Sequence, residues 1–232
     1  MPKFIKEEYV SEFFPKFVGK YKYTDTLHLS DRWTKDTTLK NDFIWDYSGL
    51  DTDKLTFNGF EIIPDYSTTI YWHMYGPCNA YYPVYIVNET SEIKEFFGKD
   101  GHVFGLEEAL DSSKYWRPIE GRGFDFCGNG HWRIKVHPQE FMVVLFPKYL
   151  GTFKTKLRVR ISNLNSVFVS NSFEGVISEK QLSLRKGDYL YRMLMENKEN
   201  VVEGCFYGAI PLGINDKDFG KNVPVVHNGI DR

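Results

Sequence analysis

Between Arg117 and Glu140 the chain reads RPIEGRGFDFCGNGHWRIKVHPQE, which sets Arg117, Glu120, Arg122, Asp125, His131, Arg133, His137 and Glu140 among four glycines. An imidazole beside a carboxylate can move a proton near neutral pH, so His131, His137, Glu120 and Asp125 are the candidate catalytic groups. Guanidinium groups clamp carboxylates or phosphates and an indole offers a stacking face. Arg117, Arg122, Arg133 and Trp132 are therefore the candidate ligand contacts. If WRIKV is a strand, Trp132, Ile134 and Val136 share one face, and His131, Arg133, Lys135 and His137 share the other. That second row is either a cationic ladder facing a ligand or a solvated face. The solvated face is the simpler reading, because any half-buried strand alternates in this way.

Two further pairs have the spacing of metal ligands. His73 and Cys78 bracket a turn, and Cys127 and His131 end the string CGNGH. Two thiolates and two imidazoles brought together could hold a tetrahedral zinc. The pairs lie far apart in the chain, however, and unpaired cysteine is commonly just a small apolar core residue, so no metal or other cofactor is favoured. Three cysteines (Cys78, Cys127, Cys205) with no CxxC pair argue against a disulfide framework. None of the short phosphate-loop, zinc-protease, nucleophile-elbow, kinase or calcium-loop signatures occurs.

The elements that must position these groups read as strands. The 232 residues include 19 Phe, 15 Tyr and 5 Trp against three alanines (Ala80, Ala109, Ala209), a balance that favours pleated surfaces over helices. With 42% hydrophobic residues the chain can bury a substantial core, and rings in such number leave some for an interface. A net charge of −2 disfavours nucleic acid as a partner. No apolar run reaches the ~18 residues of a membrane span. The start, MPKFIKEEYV, lacks the apolar centre of a secretory signal, so the expected location is cytoplasmic or intracellular, or within an assembled particle.

Residues 1–66 read as an irregular, aromatic N-terminal arm, with a short helix in KEEYVSEFF and strands in FIWDY and KLTFNGFEII. Residues 67–214 read as the core, and 215–232 as an extended C-terminal tail. TTIYWHMY and AYYPVYIV, joined by Gly76-Pro77-Cys78-Asn79, predict an antiparallel pair. The spacing of Ile93, Phe96 and Phe97 predicts a helix over EIKEFF, and a second one is expected at Leu106–Leu110. From Gly123 onward, runs such as WRIKV, FMVVLF, LRVRIS, SVFV, FEGVI, QLSL, YLYRMLM and CFYGAI follow in the rhythm of an all-β sandwich. FMVVLF should be covered on both faces, LRVRIS should keep its basic side wet, and Lys186-Gly187-Asp188 should turn QLSL into YLYRMLM as a hairpin.

The segment SNSFEGVISEKQLSLRKGDYLYRMLME resembles the closing strands of the trimeric dUTPase and dCTP deaminase folds, which implies a final β-strand after the Lys-Gly turn. The Arg-Ser-Ser phosphate motif of that family is missing, as is the His-x-His of a cupin, so the likeness is one of barrel pattern and carries no activity. The fold expected is mainly β: an antiparallel sandwich or jelly-roll-like barrel with one or two short helices and extended terminal arms. The function expected first is that of a non-enzymatic structural or interaction protein, a subunit of a larger assembly such as a phage or virus particle, with protein partners in a homo- or hetero-oligomer. A β-sandwich module binding a small ligand or glycan, and an enzyme built on residues 117–140, are the alternatives.

Overall fold

The computed structural model describes residues 9–24, 41–45, 59–73, 78–123, 127–164, 166–214 and 225–227. Fourteen strands occur among them: β1 (Lys16–Lys22), β2 (Phe43–Trp45), β3 (Phe60–Pro64), β4 (Ile70–His73), β5 (Cys78–Asn88), β6 (Lys94–Lys99), β7 (His102–Leu110), β8 (Trp116–Pro118), β9 (His131–Val136), β10 (Glu140–Pro147), β11 (Phe153–Asn163), β12 (Ser166–Val169), β13 (Phe173–Ile177) and β14 (Val225–His227). A 3-10 turn at Glu179–Leu182 precedes two short helices, α1 (Tyr189–Glu196) and α2 (Lys198–Phe206). The molecule is mainly β and sandwich-like, as its aromatic, alanine-poor composition predicts. None of the described helices is long and apolar enough to cross a membrane.

The strands run in the order β14-β12-β11-β7-β1-β10-β5-β3, with β13 beside β11, β6 and β8 beside β7, β9 beside β6, β2 beside β9 and β4 beside β5. All strand pairs are antiparallel except β12–β14. The segment 1–66 supplies β1 to the middle of this order: β1 meets β10 along its length and β7 at Lys16. The predicted β4–β5 pair forms, with Ile70 opposite Tyr81 and Trp72 opposite Asn79.

Period-two patterning builds the main core. Tyr82, Val84 and Ile86 of β5, Met142, Val144 and Phe146 of β10, and Trp132, Ile134 and Val136 of β9 point into it, joined by Phe60, Phe96, Val159, Ile161 and Phe168. Trp132 fits because β6 carries Gly98 there: a Cβ at that position would sit 2.2 Å from the indole and 2.6 Å from the His102 carbonyl oxygen. A second apolar cluster packs α1 and α2, through Leu190, Leu194, Val201, Val202 and Phe206, against Phe104 and Leu106 of β7.

Several expected elements differ. EIKEFF is not a helix; residues 94–99 form β6, paired with β9 and β7, and Phe96 and Phe97 are both fully buried. A strand covered on both faces has a continuous apolar run that a short window cannot tell from a helical stripe. Leu106–Leu110 belongs to β7 for the same reason. The hairpin after Val176 does not form. QLSL contributes to the 3-10 turn, YLYRMLM is α1 with Leu190 and Leu194 inward at i and i+4, and CFYGAI begins inside α2. The final strand implied by the dUTPase-like pattern is thus a helix. Of the helix predicted in KEEYVSEFF, residues 6–8 lie outside the described residues, and residues 9–14 are irregular rather than helical, with a bend at Ser11 and Glu12 bridged to Gly121.

Candidate functional site

The polar side of β9 is spent on neighbouring strands. Arg133 Nη1 donates to Glu95 Oε2 at 2.9 Å, across the β6–β9 pair. At the strand's end His137 Nε2 lies 3.1 Å from Asp42 Oδ1, and its backbone N–H donates to Glu140 Oε2 at 2.9 Å. Asp42, His137 and Glu140 bring their ligand atoms within 4.8 Å of one another. The Lys20 ammonium stands among them, 2.7 Å from Asp42 Oδ2 and 2.5 Å from Glu140 Oε2, so a protein cation already neutralises the position a metal would take. Burial alone would raise the Asp42 carboxyl, but hydrogen bonds from Lys20 and His137 carry it below its ordinary value.

The residues proposed for zinc do not form such a cluster among the described atoms. His73 and Cys78 are cross-strand neighbours at the backbone level, and their side chains lie outside the described set. Cys127 is exposed, and its loop closes by other means: Lys99 donates to the Cys127 carbonyl oxygen, and His131 Nδ1 donates to that of Gly128 at 2.9 Å. Asp125 lies outside the described residues. Trp132, expected to stack on a ligand, has no accessible surface, and its indole N–H donates to the Asp100 carbonyl oxygen at 2.8 Å.

Glu120 leads to the most unusual chemistry in the molecule, and sequence reasoning missed its partner. The side chains of Glu107 and Glu120 are both buried in the protein. Tyr82 Oη donates to Glu107 Oε1 at 2.5 Å, while Glu120 accepts from the Glu107 backbone N–H at 2.6 Å and from Tyr149 Oη at 2.9 Å. Among the described residues Glu107 Oε2 has no hydrogen-bond partner. Burial pushes Glu120 up to about 8, and burial followed by the nearby Glu120 charge drives Glu107 well above the carboxylate range. Both members of the pair are thus pushed toward the neutral acid. Glu108, the next residue on β7, is pushed the other way: Arg158 Nε lies 2.7 Å from Oε2, and Arg160 Nη2 lies 3.2 Å from Oε1. Burial opposes its charge, yet the two guanidinium groups win and lower it. The basic side of LRVRIS is therefore not wet; Arg160 is buried against Glu108.

Arg117 pairs with Asp111 at 3.1 Å and donates to the Ile210 carbonyl oxygen. Arg122 lies apart from this, beside α2, with its guanidinium 4.4 Å from the Phe104 ring centroid. The structure thus does not assemble His131, His137, Glu120 and the arginines into one constellation. Each has its own local role.

One face of the sheet carries accessible apolar side chains. On the face of β1, β10, β5 and β3 opposite the core, Val143 and Leu145 are buried, whereas Tyr21, Tyr85 and Phe141 are half-buried. Tyr23 and Ile63 beside them are 50% and 41% exposed. Phe141 joins the rings, 5.8 Å from Tyr21, 6.1 Å from Tyr23 and 5.7 Å from Tyr85. Glu61 and Glu89 lie near enough to raise the Tyr23 hydroxyl, after burial, so the patch has an acidic rim.

The chain matches no protein-family model, no curated protein and no solved structure.

Proposed function

We propose that this chain is a non-enzymatic structural or interaction protein, a subunit that docks into a larger assembly through the outer aromatic face of β1, β10, β5 and β3. The observation that carries the reading is that patch: Tyr21, Tyr23, Ile63, Tyr85 and Phe141 form a contiguous apolar surface with a polar rim. Sheets with one wet face normally alternate, and large exposed apolar patches mark contact sites. Tyrosine and phenylalanine are the side chains enriched at such interfaces. The candidate catalytic groups add weight from the other side, since Glu120 is sealed from solvent and His137, Arg117 and Arg133 are engaged in internal pairs. A phage or virus particle is one assembly of this kind.

The test is sedimentation of the purified full chain over a range of concentrations, beside Ile63→Lys and Tyr23→Lys. Both positions are already in water, so the variants should stay folded. The reading expects a discrete oligomer that the two lysines dissociate. A monomer at every concentration, or an oligomer indifferent to both changes, would remove this face from the account.

A further inference from the structure

A cleft of about 310 Å³ opens between the α1–α2 pair and the segment 121–123. Met193, Val201 and Cys205 are the apolar residues of its lining and Arg122, Asn197 and Asn200 the polar ones, with Gly204 beside them. The size is that of a small-molecule site, and the lining, mostly apolar with a few convergent polar groups, is of the corresponding type.

Arg122 is held in place by its backbone. Its N–H donates to the Cys205 carbonyl oxygen at 2.8 Å, Gly121 N–H donates to Ser11 O at 3.0 Å, and Phe13 N–H returns to Gly121 O at 2.9 Å. The side chain is oriented by the Phe104 ring beneath it. Arg117, Arg133, Arg158 and Arg160 each pair with a carboxylate, whereas among the described residues no carboxylate pairs with Arg122; its buried Nε, like those of Arg133 and Arg160, has no hydrogen-bond partner among them. A buried donor left unmade is costly, which makes it a ready anchor for an acceptor from outside.

Two positions of the second helix bear on the cleft. Asn197 occupies the N-cap position of α2 and lines the cleft; like Asp188 ahead of α1, it makes no side-chain capping bond. Gly204 lies inside α2, where glycine is unfavourable relative to alanine, and its φ is not positive; a Cβ there would meet nothing within 4 Å. Neither backbone strain nor packing calls for a glycine at this place. With no side chain, Gly204 leaves its part of the lining open.

We propose that this cleft binds a small organic monoanion, a carboxylate on a short apolar body, with Arg122 receiving the carboxylate, Asn197 and Asn200 completing its hydrogen bonds, and Met193 and Val201 covering the apolar part. One charge fits better than two, because the Glu12 carboxylate stands directly behind Gly123: a Cβ on that glycine would lie 2.6 Å from Glu12 Oε2. The Cys205 thiol in the wall is pushed up to about 11 by burial, which leaves it a neutral surface and not a nucleophile.

The experiment is a titration of the ¹⁵N-labelled full chain with hexanoate, with hexanol as the uncharged analogue and inorganic phosphate as the compact, more highly charged one. Saturable shifts at the Arg122 Nε–Hε and at the Gly123 and Gly204 amides are expected with hexanoate. Hexanol and phosphate should bind at least roughly tenfold more weakly, the scale of one charge-assisted contact. Arg122→Gln should weaken hexanoate by a similar factor. Gly204→Leu should abolish the shifts while leaving the melting temperature unchanged or higher, which separates loss of the cleft from loss of the fold. Absence of saturation with hexanoate, equal affinity for hexanol, or binding that survives Gly204→Leu would each overturn the proposal.

Discussion

Glu107 and Glu108 are consecutive residues of β7, both inaccessible to solvent, and their carboxyls are pushed in opposite directions, Glu107 up and Glu108 down, because they point to opposite faces of one sheet. On one side Tyr82, Tyr149 and Glu120 surround Glu107 with hydroxyls and a second acid, and the cheapest state is neutral. On the other, Arg158 and Arg160 close on Glu108 from β11, whose register sets Arg158 directly opposite it. The lesson is that burial alone does not decide the charge of a carboxyl. The first partner across the sheet does.

The sharpest way to break the contrast is Glu108→Gln. It leaves Arg160 buried without its counter-charge, and removing one member of a buried pair costs about 3–5 kcal/mol. Urea unfolding should show that loss, with a pH-insensitive size above pH 6. A loss under about 1 kcal/mol would mean that water or another group solvates Arg160.

Next in size is the pH dependence. A carboxyl whose folded value lies above its unfolded one keeps its proton in the folded chain after the unfolded chain has lost it, so stability falls as pH rises. For Glu120 the window runs from the ordinary 4.5 to about 8. The slope there is on the order of 1 kcal/mol per pH unit for each proton retained. Glu108, Asp42 and Asp111 have lowered values, so their contribution is present above the ordinary carboxylate range and lost as pH falls through it. The two classes together place the stability maximum on the mildly acidic side of neutral. In Glu120→Gln the decline toward pH 8 should become shallower, as followed by thermal melts at several pH values; an unchanged slope would assign it elsewhere.

The smallest effect belongs to Glu107→Gln. The amide copies the shape of the neutral acid and still accepts from Tyr82, so below pH 4.5, where Glu107 keeps its proton folded or unfolded, the change should stay within about 1 kcal/mol. As pH rises from there the variant should gain on the wild type, because it has no carboxyl to ionise on unfolding. Measured beside Glu108→Gln, it would show one strand tolerating loss of an acid at one position and failing at the next.

Much of this was readable in the chain. The alternation of WRIKV sets Trp132, Ile134 and Val136 on one face, although Trp132 reads as a stacking surface for a ligand and is in fact buried, and the unbroken apolar run of FMVVLF announces a strand with little water on either side. The sequence misled where two periodicities coincide over a few residues, as in EIKEFF, and where Leu190 and Leu194 read equally well as strand or helix until tertiary packing chose. The buried acids escaped notice because Glu107 and Glu108 stood in a segment read as a helix, where they would have faced solvent. A signal existed nonetheless. Two acids inside the run VFGLEEAL, and arginines alternating through LRVRIS, are complementary patterns that only a strand pairing brings together. Of the candidate site, Arg122 was named for ligand contact, but the cleft beside it depends on two helices the sequence reading had drawn as strands.

The place of β1 also sets the order in which this molecule can be made. Its neighbours β7 and β10 are translated long after it, ending at Leu110 and Pro147. Until the ribosome has released them, Phe17 and Val18 have nothing to pack against, and a strand destined for the middle of the sheet is an unpaired edge open to other nascent chains. Closure must span a long loop, which slows the step and lengthens the time that this strand stays unpaired.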